Sequence, residues 1–421
     1  MKALAVFVLA LLLVCGAFVT VALWPLRDPH PAPYLQHGMT VVRVGKLYVS
    51  PDAPALSPAT IMIQDGRIWQ VTPSLAPVPA TSTVVDCPSC TATAGFWNVH
   101  VHFTQPKWQW AEWKSAKGLD AQLADMLTSR GFTTVADLGS DPRVTIALRR
   151  RIEKGEVRGP EIYTAGPALY PPNGVPYYLR NSLPAWMVAL MPQPETPDAA
   201  VRVVEHNKRT GSDLLKLFTG SYVQRGVIKP MPVEIAAAAA HQAHAYGQLV
   251  FAHESNLAGT QVSIASGVDV LAHAPDTTEG VDENVLRSAI ARNMAMVPTL
   301  KMFATTVTTK PAYLQPIYAI VRQYRALGGE LLFGTDVGYM TDYSTDGEFS
   351  ALKECGLNSR DMLRMLTTAP AGRFGVANEK GTVEVGKLGD LTVLDADPIE
   401  DAAAFSKIHA TIHNGRVLFQ K

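Results

Sequence analysis

A chain of 421 residues, 47% apolar and 18% charged, has room for one large barrel plus a smaller domain and does not have the composition of a disordered polymer. Its 37 basic and 37 acidic side chains cancel, which argues against a basic nucleic-acid-binding face. Thirty prolines and 31 glycines point to many turns between short elements.

Residues Ala3–Trp24 are almost wholly apolar, with Lys2 before them and Pro25, Arg27 and Asp28 after. Segment 1–26 reads as an export signal or a signal anchor. An apolar run of about 22 residues is long enough to span a bilayer, which favours an anchor, while Thr20-Val21-Ala22 offers a cleavage site. The expectation is an exported chain, periplasmic or attached through residues 3–24 to the outer face of the inner membrane. Cys15 does not make a lipoprotein signal, because bulky Val14 precedes it and the apolar run continues past it.

Strand-like alternation follows at Met39–Val44, Ala59–Ile63 and Gly66–Val71, with a hairpin turn signal at Asp65-Gly66. Cys87-Pro-Ser-Cys90 reads as a loop disulfide or two plain thiols. No helix start follows it, as a redox site would need, and no second pair completes a zinc ribbon. Asp390–Leu394 and Ala410–Phe419, turning at Asn414-Gly415, repeat the strand pattern at the far end. Residues 38–94 and 372–421 are therefore expected to form one β-sandwich domain.

The middle, 95–371, alternates strand and helix. Strands are expected at 96–102, 132–138, 161–165, 213–218, 248–253, 269–273, 294–299 and 331–335, and helices at 119–130, 233–246 and 281–292. Eight such units fit an α/β fold, a (β/α)8 TIM barrel, whose chemistry sits at the C-terminal strand ends. Those ends carry metal-ligand residue types. Gly95-Phe-Trp-Asn-Val-His-Val-His-Phe places His100 and His102 two apart, on one face of a strand. Strand four carries Lys216 in an apolar run; strands five, six and eight end at His253, His273 and Asp336. One such histidine is ordinarily a core residue with a hydrogen bond, but five coincidences at the same end of one fold point to a metal site.

These residues resemble the amidohydrolase superfamily. The matching stretches are Gly95–His102, Lys216 in Leu-Lys-Leu-Phe-Thr-Gly, Phe251-Ala-His-Glu, Leu271-Ala-His-Ala, Phe333-Gly-Thr-Asp-Val-Gly and the tail Thr368-Ala-Pro-Ala-Gly…Gly381-Thr-Val-Glu-Val-Gly-Lys-Leu-Gly-Asp-Leu. The resemblance spans roughly residues 38–421 and is nearest to the binuclear branch of prolidase-like and imidazolonepropionase-like enzymes. Ala94 and Asn98 depart from the family pattern but are not ligands. The resemblance implies two divalent ions, zinc being expected, with His100, His102 and Asp336 on one and His253 and His273 on the other. It implies that Lys216 is carbamylated and bridges them, that a bridging hydroxide attacks, and that Asp336 carries the proton. An ion-paired Lys216 would instead leave a mononuclear hydrolase.

The expected reaction is hydrolysis of an amide-type C–N bond in a dipeptide or N-acyl amino acid. A cyclic amide or imidazolone is second, and deamination or lactone and phosphoester hydrolysis third. A non-catalytic barrel that only binds ligands is the reading from a different class. Segment 168–187, with Tyr170, Tyr177, Tyr178 and Trp186, is a candidate lid or a packed loop. Tyr222 and Arg225 are candidates to receive a substrate carboxylate. Trp108, Trp110 and Trp113 line the mouth or pack. His241 and His244 read as surface or packing residues. A small-molecule substrate, no nucleic acid, and homo-oligomers complete the expectations.

Overall fold

Both ends of the described chain are β-structure. The computed structural model describes residues 33–421, so the expected export segment at 1–26, with its membrane attachment, lies outside the described residues. Among the described residues no helix is long and apolar enough to cross a membrane.

The strands are β1 (Met39–Leu47), β2 (Ala59–Gln64), β3 (Arg67–Thr72), β4 (Thr83–Ala94), β5 (Phe96–Val101), β6 (Phe132–Asp137), β7 (Glu161–Thr164), β8 (Leu214–Phe218), β9 (Gly220–Gln224), β10 (Val227–Pro230), β11 (Leu249–His253), β12 (Val270–Leu271), β13 (Ala295–Met296), β14 (Glu330–Leu331), β15 (Leu391–Leu394), β16 (Ile408–His413) and β17 (Arg416–Gln420).

Instead of two separate layers, the terminal strands form one continuous sheet in the order β17-β16-β15-β4-β1-β2-β3. Alternation explains its shape. Val42, Val44, Ile61, Ile63, Val85, Val393 and Ile412 all point to one face and pack on each other. Covering that face requires the sheet to curl, and the β3 edge reaches back to the approach to β15. Ile68 N donates to Lys387 O at 2.8 Å, and Gly389 N to Gly66 O at 2.8 Å. The two turns read from sequence have the positive φ pairs that such hairpins need: 47° and 80° at Asp65-Gly66, 49° and 77° at Asn414-Gly415.

Cys87 and Cys90 are bonded, but within β4 rather than in a loop. Val44 pairs with Cys87 and Lys46 with Thr91, so Gly45 alone faces the three residues 88–90. The disulfide spans this bulge. Gly45 is required there, because a Cβ would lie 2.2 Å from Pro88 O.

The middle contributes eight parallel strands in two ladders, β5-β6-β7 and β8-β11-β12-β13-β14. Backbone hydrogen bonds link their edges. Asp213 N donates to Thr164 O at 2.8 Å on one side; Val99 N to Phe333 O at 2.9 Å and Asp336 N to His100 O at 2.8 Å join the other. The late strands are shorter than expected. The chain leaves β13 at Pro298, which has no N–H for a ladder. Helices cross between most strands and several begin on side-chain caps, as Ser115, Asp141, Asn256 and Asp282 do. The β9–β10 hairpin after β8 was not foreseen.

Glu348 supplies a testable consequence of this packing. Its buried carboxylate accepts Leu300 N at 3.0 Å and Lys301 N at 2.7 Å. Burial pushes its pKa up to about 7 against those donors. A carboxyl with a raised folded-state pKa stabilises fully below its unfolded value and loses that contribution as pH rises through the folded one. Urea unfolding at pH 5 and pH 7 should show stability falling by on the order of 2–3 kcal/mol from this group, at roughly 1.4 kcal/mol per pH unit. Glu348→Gln should flatten that slope.

Candidate active site

Three side chains read from the sequence converge on one point. His102 Nε2 lies 3.0 Å from Asp336 Oδ1, and His100 Nε2 3.4 Å from the same oxygen. The strand geometry accounts for this. His100 is the second-last residue of β5 and His102 follows the strand on the same face, while Asp336 N donates to His100 O across the seam.

Hydrogen bonds fix which ring nitrogens carry protons. His100 Nδ1 faces Ala272 O at 2.8 Å and His102 Nδ1 faces Gly139 O at 3.3 Å. A carbonyl only accepts, so each Nδ1 carries a proton, and in a neutral ring that leaves Nε2 as the ligating nitrogen. His273 follows suit. Its Nδ1 meets Thr299 Oγ1 at 2.8 Å, while that hydroxyl donates to Pro298 O at 2.9 Å. Burial holds His100 and His273 well below the usual imidazole range and His253 down to about 3, so all three are neutral near pH 7.

Two imidazole nitrogens therefore crowd a carboxylate oxygen that is buried and has no hydrogen-bond partner. Acceptors so close repel unless a cation sits among them. His100, His102 and Asp336 fit a divalent metal by this test. The rings of His253 and His273 lie 4.5 Å apart, and those of His273 and His100 4.6 Å, so the four imidazoles adjoin. Lys216 is buried beside them, and burial lowers its pKa to about 8 although Asp336 and Glu254 oppose that. Asp336 and Glu254 are the acidic groups whose charge acts on it.

Sequence reading passed over several supports. Asn98 was set aside as a non-ligand, yet its Oδ1 accepts His100 N at 3.3 Å and Thr335 N at 3.2 Å, and its Nδ2 donates to Thr335 Oγ1 at 2.7 Å. It ties the strand carrying the histidines to the turn carrying Asp336. Asp137 is fully buried 3.9 Å from His102 Nδ1, held by Ser140 Oγ at 2.6 Å and Thr145 Oγ1 at 2.8 Å. Asp336 itself has φ 59°, a left-handed conformation uncommon outside glycine. Gly338, at φ +100°, leaves room for the returning chain; a Cβ would lie 1.8 Å from His102 O. Asn98→Leu should weaken metal binding about 10- to 100-fold, read by chelator competition, because partners behind ligands set their geometry.

The substrate candidates are placed unevenly. Tyr170 is buried against Phe218, rings 4.6 Å apart, and Phe218 stacks on His253 at 4.7 Å. Tyr177 touches Tyr178, which interacts electrostatically with Asp336 and packs near Tyr339. Tyr222 donates to Asp276 Oδ2 at 2.9 Å. Arg225 is exposed at the tip of the β9–β10 hairpin. The 168–187 segment carries two short helices, Tyr177–Ser182 and Ala185–Ala189, with Trp186 exposed. Trp108 is buried, whereas Trp110 and Trp113 are exposed. His244 binds Asp269 at the surface at 2.9 Å, and His241 is exposed, as expected of non-ligands.

Solved structures share this fold. A Xaa-Pro dipeptidase with bound methionine in its active site superposes with TM-score 0.77 at 22% identity, over 91% of this chain and 100% of that one. A prolidase complexed with N-methylphosphonate-L-proline gives 0.73 at 22%, over 91% and 100%. The ochratoxinase of A. niger gives 0.73 at 19%, over 92% and 96%. No curated protein matches the sequence. The sequence pattern of the amidohydrolase family matches residues 91–418, which takes in every residue of the histidine–lysine–aspartate set, and the chain belongs to that family.

Proposed function

We propose that this chain is a binuclear metal hydrolase that cleaves an amide-type C–N bond in a dipeptide or N-acylated amino acid. The observation that carries the reading is the convergence of two imidazole nitrogens on the partnerless Asp336 oxygen. The eight parallel strands are read as a closed (β/α)8 barrel, supported by the hydrogen bonds at both ladder edges. His100, His102 and Asp336 would hold one ion and His253 and His273 the other, with Lys216 as a carbamate supplying the bridging oxygens. When bound, the ions, zinc in this reading, lower the pKa of water toward about 7 and polarise the scissile carbonyl.

The chain's own part is positional and protonic. The backbone carbonyls behind His100 and His102 hold both rings in the ligating tautomer. Asp336 is placed to take the proton of the attacking water and hand it to the leaving nitrogen. Tyr178 and Tyr339 border the side of the site near Asp336 and would help exclude bulk water. The dipeptide class is favoured because two of the structural neighbours are described as a dipeptidase and a prolidase. The leading apolar segment and the Cys87–Cys90 bond support an oxidising location outside the cytoplasm.

Amine release from a panel of dipeptides and N-acyl amino acids tests the reading. Turnover should vanish after chelation and return on adding zinc. Turnover that survives complete metal removal would refute it.

A further inference from the structure

We infer that the site has a subsite for a cationic substrate group, an ammonium or guanidinium, formed by Glu254 and Asp276 with Tyr222 and Tyr313. The inference rests on the hydrolase reading and adds a substrate class to it.

Glu254 follows His253 at the end of β11. It is fully buried, and neither carboxylate oxygen has a hydrogen-bond partner. A carboxylate in that position ordinarily accepts several hydrogen bonds. Its backbone is firmly set: Asn256 N donates to Glu254 O at 2.7 Å, and Ser255 adopts φ 57°. Gly220 and Gly259 press against the same carbonyl, where a Cβ would come within 2.1 and 1.9 Å of the oxygen. The backbone that carries the side chain is thus fixed, while the carboxyl has no partner of its own. Electrostatic contacts run from Asp336 to Lys216, from Lys216 to Glu254, and from Glu254 to Asp276. Thr277 N donates to Ser255 O at 2.9 Å, which joins the chain next to Glu254 to the chain next to Asp276.

Asp276 lies three residues past His273. Its Oδ2 accepts Tyr222 Oη and Tyr313 Oη, both at 2.9 Å. Each phenol has one proton, and both are committed to this oxygen. Tyr222 comes from the β9–β10 hairpin and Tyr313 from the helix Pro311–Ala326, so two separate elements fix the Asp276 carboxylate. This overturns the expectation that Tyr222 receives a substrate carboxylate. An anion here would meet two carboxylates and a spent hydroxyl. A cation would give Glu254 its missing partner and Asp276 a counter-charge.

Calorimetric titration of the metal-loaded full chain with n-hexylamine, n-hexylguanidinium and n-hexanol tests this, because the three probes share a tail and differ in charge. Either cation should bind at least about tenfold tighter than the alcohol, in line with charge-assisted hydrogen bonds. The two cationic probes distinguish ammonium from guanidinium. Asp276→Asn and Glu254→Gln should each collapse the preference, and Tyr313→Phe should reduce it. If the first two variants fail to fold, the wild-type preference and Tyr313→Phe still decide. Equal or tighter binding of hexanol, no binding of either cation, or a preference unchanged in the variants overturns the inference. The titration reads no turnover, so an inactive enzyme that prefers the cations would count against the hydrolase reading and leave the subsite standing.

Discussion

Asp336→Asn is expected to lower kcat/KM by about three orders of magnitude, within the range for losing a general acid–base group. Asparagine preserves the size of the side chain and its place behind His100 and His102. It removes the negative charge that draws a cation toward the two Nε2 lone pairs, and it removes the proton acceptor. The two losses are separable. Proton-transfer loss lowers kcat while bound metal stays near the wild-type amount. Ligand loss lowers the metal content, and excess zinc then restores part of the rate. Near-normal kcat with normal metal content would remove Asp336 from the chemistry, and the convergence at 3.0 and 3.4 Å would need another explanation.

The second large effect is at Lys216. Lys216→Ala should weaken metal binding at least about a hundredfold and take turnover with it. Lys216→Arg should fare no better, which separates the proposed carbamate from an ion-pairing lysine, since arginine keeps the charge and cannot be carbamylated. The uncharged amine is the form that reacts with carbon dioxide. With the pKa lowered to about 8 by burial, its share grows as pH rises through that value. At one fixed concentration of dissolved carbon dioxide, metal-free enzyme given zinc should therefore regain activity faster at pH 9 than at pH 6.5. Full activity in Lys216→Arg would overturn the bridging role.

Much of this site was legible because its candidate ligand residues obey short-range rules. Period-two geometry puts His100 and His102 on one face, and apolar runs ending in His253, His273 and Asp336 mark strand ends. The Asp65-Gly66 and Asn414-Gly415 turns were equally local and equally plain. What sequence did not disclose depends on distant partners. Asn98 matters through Thr335, which is 237 residues away. Glu254 was quoted beside His253 but draws attention only once its burial and lack of partners are known. Tyr222 looked available to a substrate because nothing local reveals Asp276, 54 residues on, at the end of its hydroxyl. The continuity of the terminal sheet is hidden for a similar reason: alternation identifies strands and faces, whereas curling depends on contacts such as Ile68 to Lys387.

The most direct test of the central claim is the metal-to-chain ratio of the purified protein, measured by elemental mass spectrometry alongside turnover during stepwise chelation. The account predicts roughly two divalent ions per chain, falling in step with activity, with Lys216→Ala holding fewer. A protein that binds none, or that keeps its full rate once stripped, would contradict it.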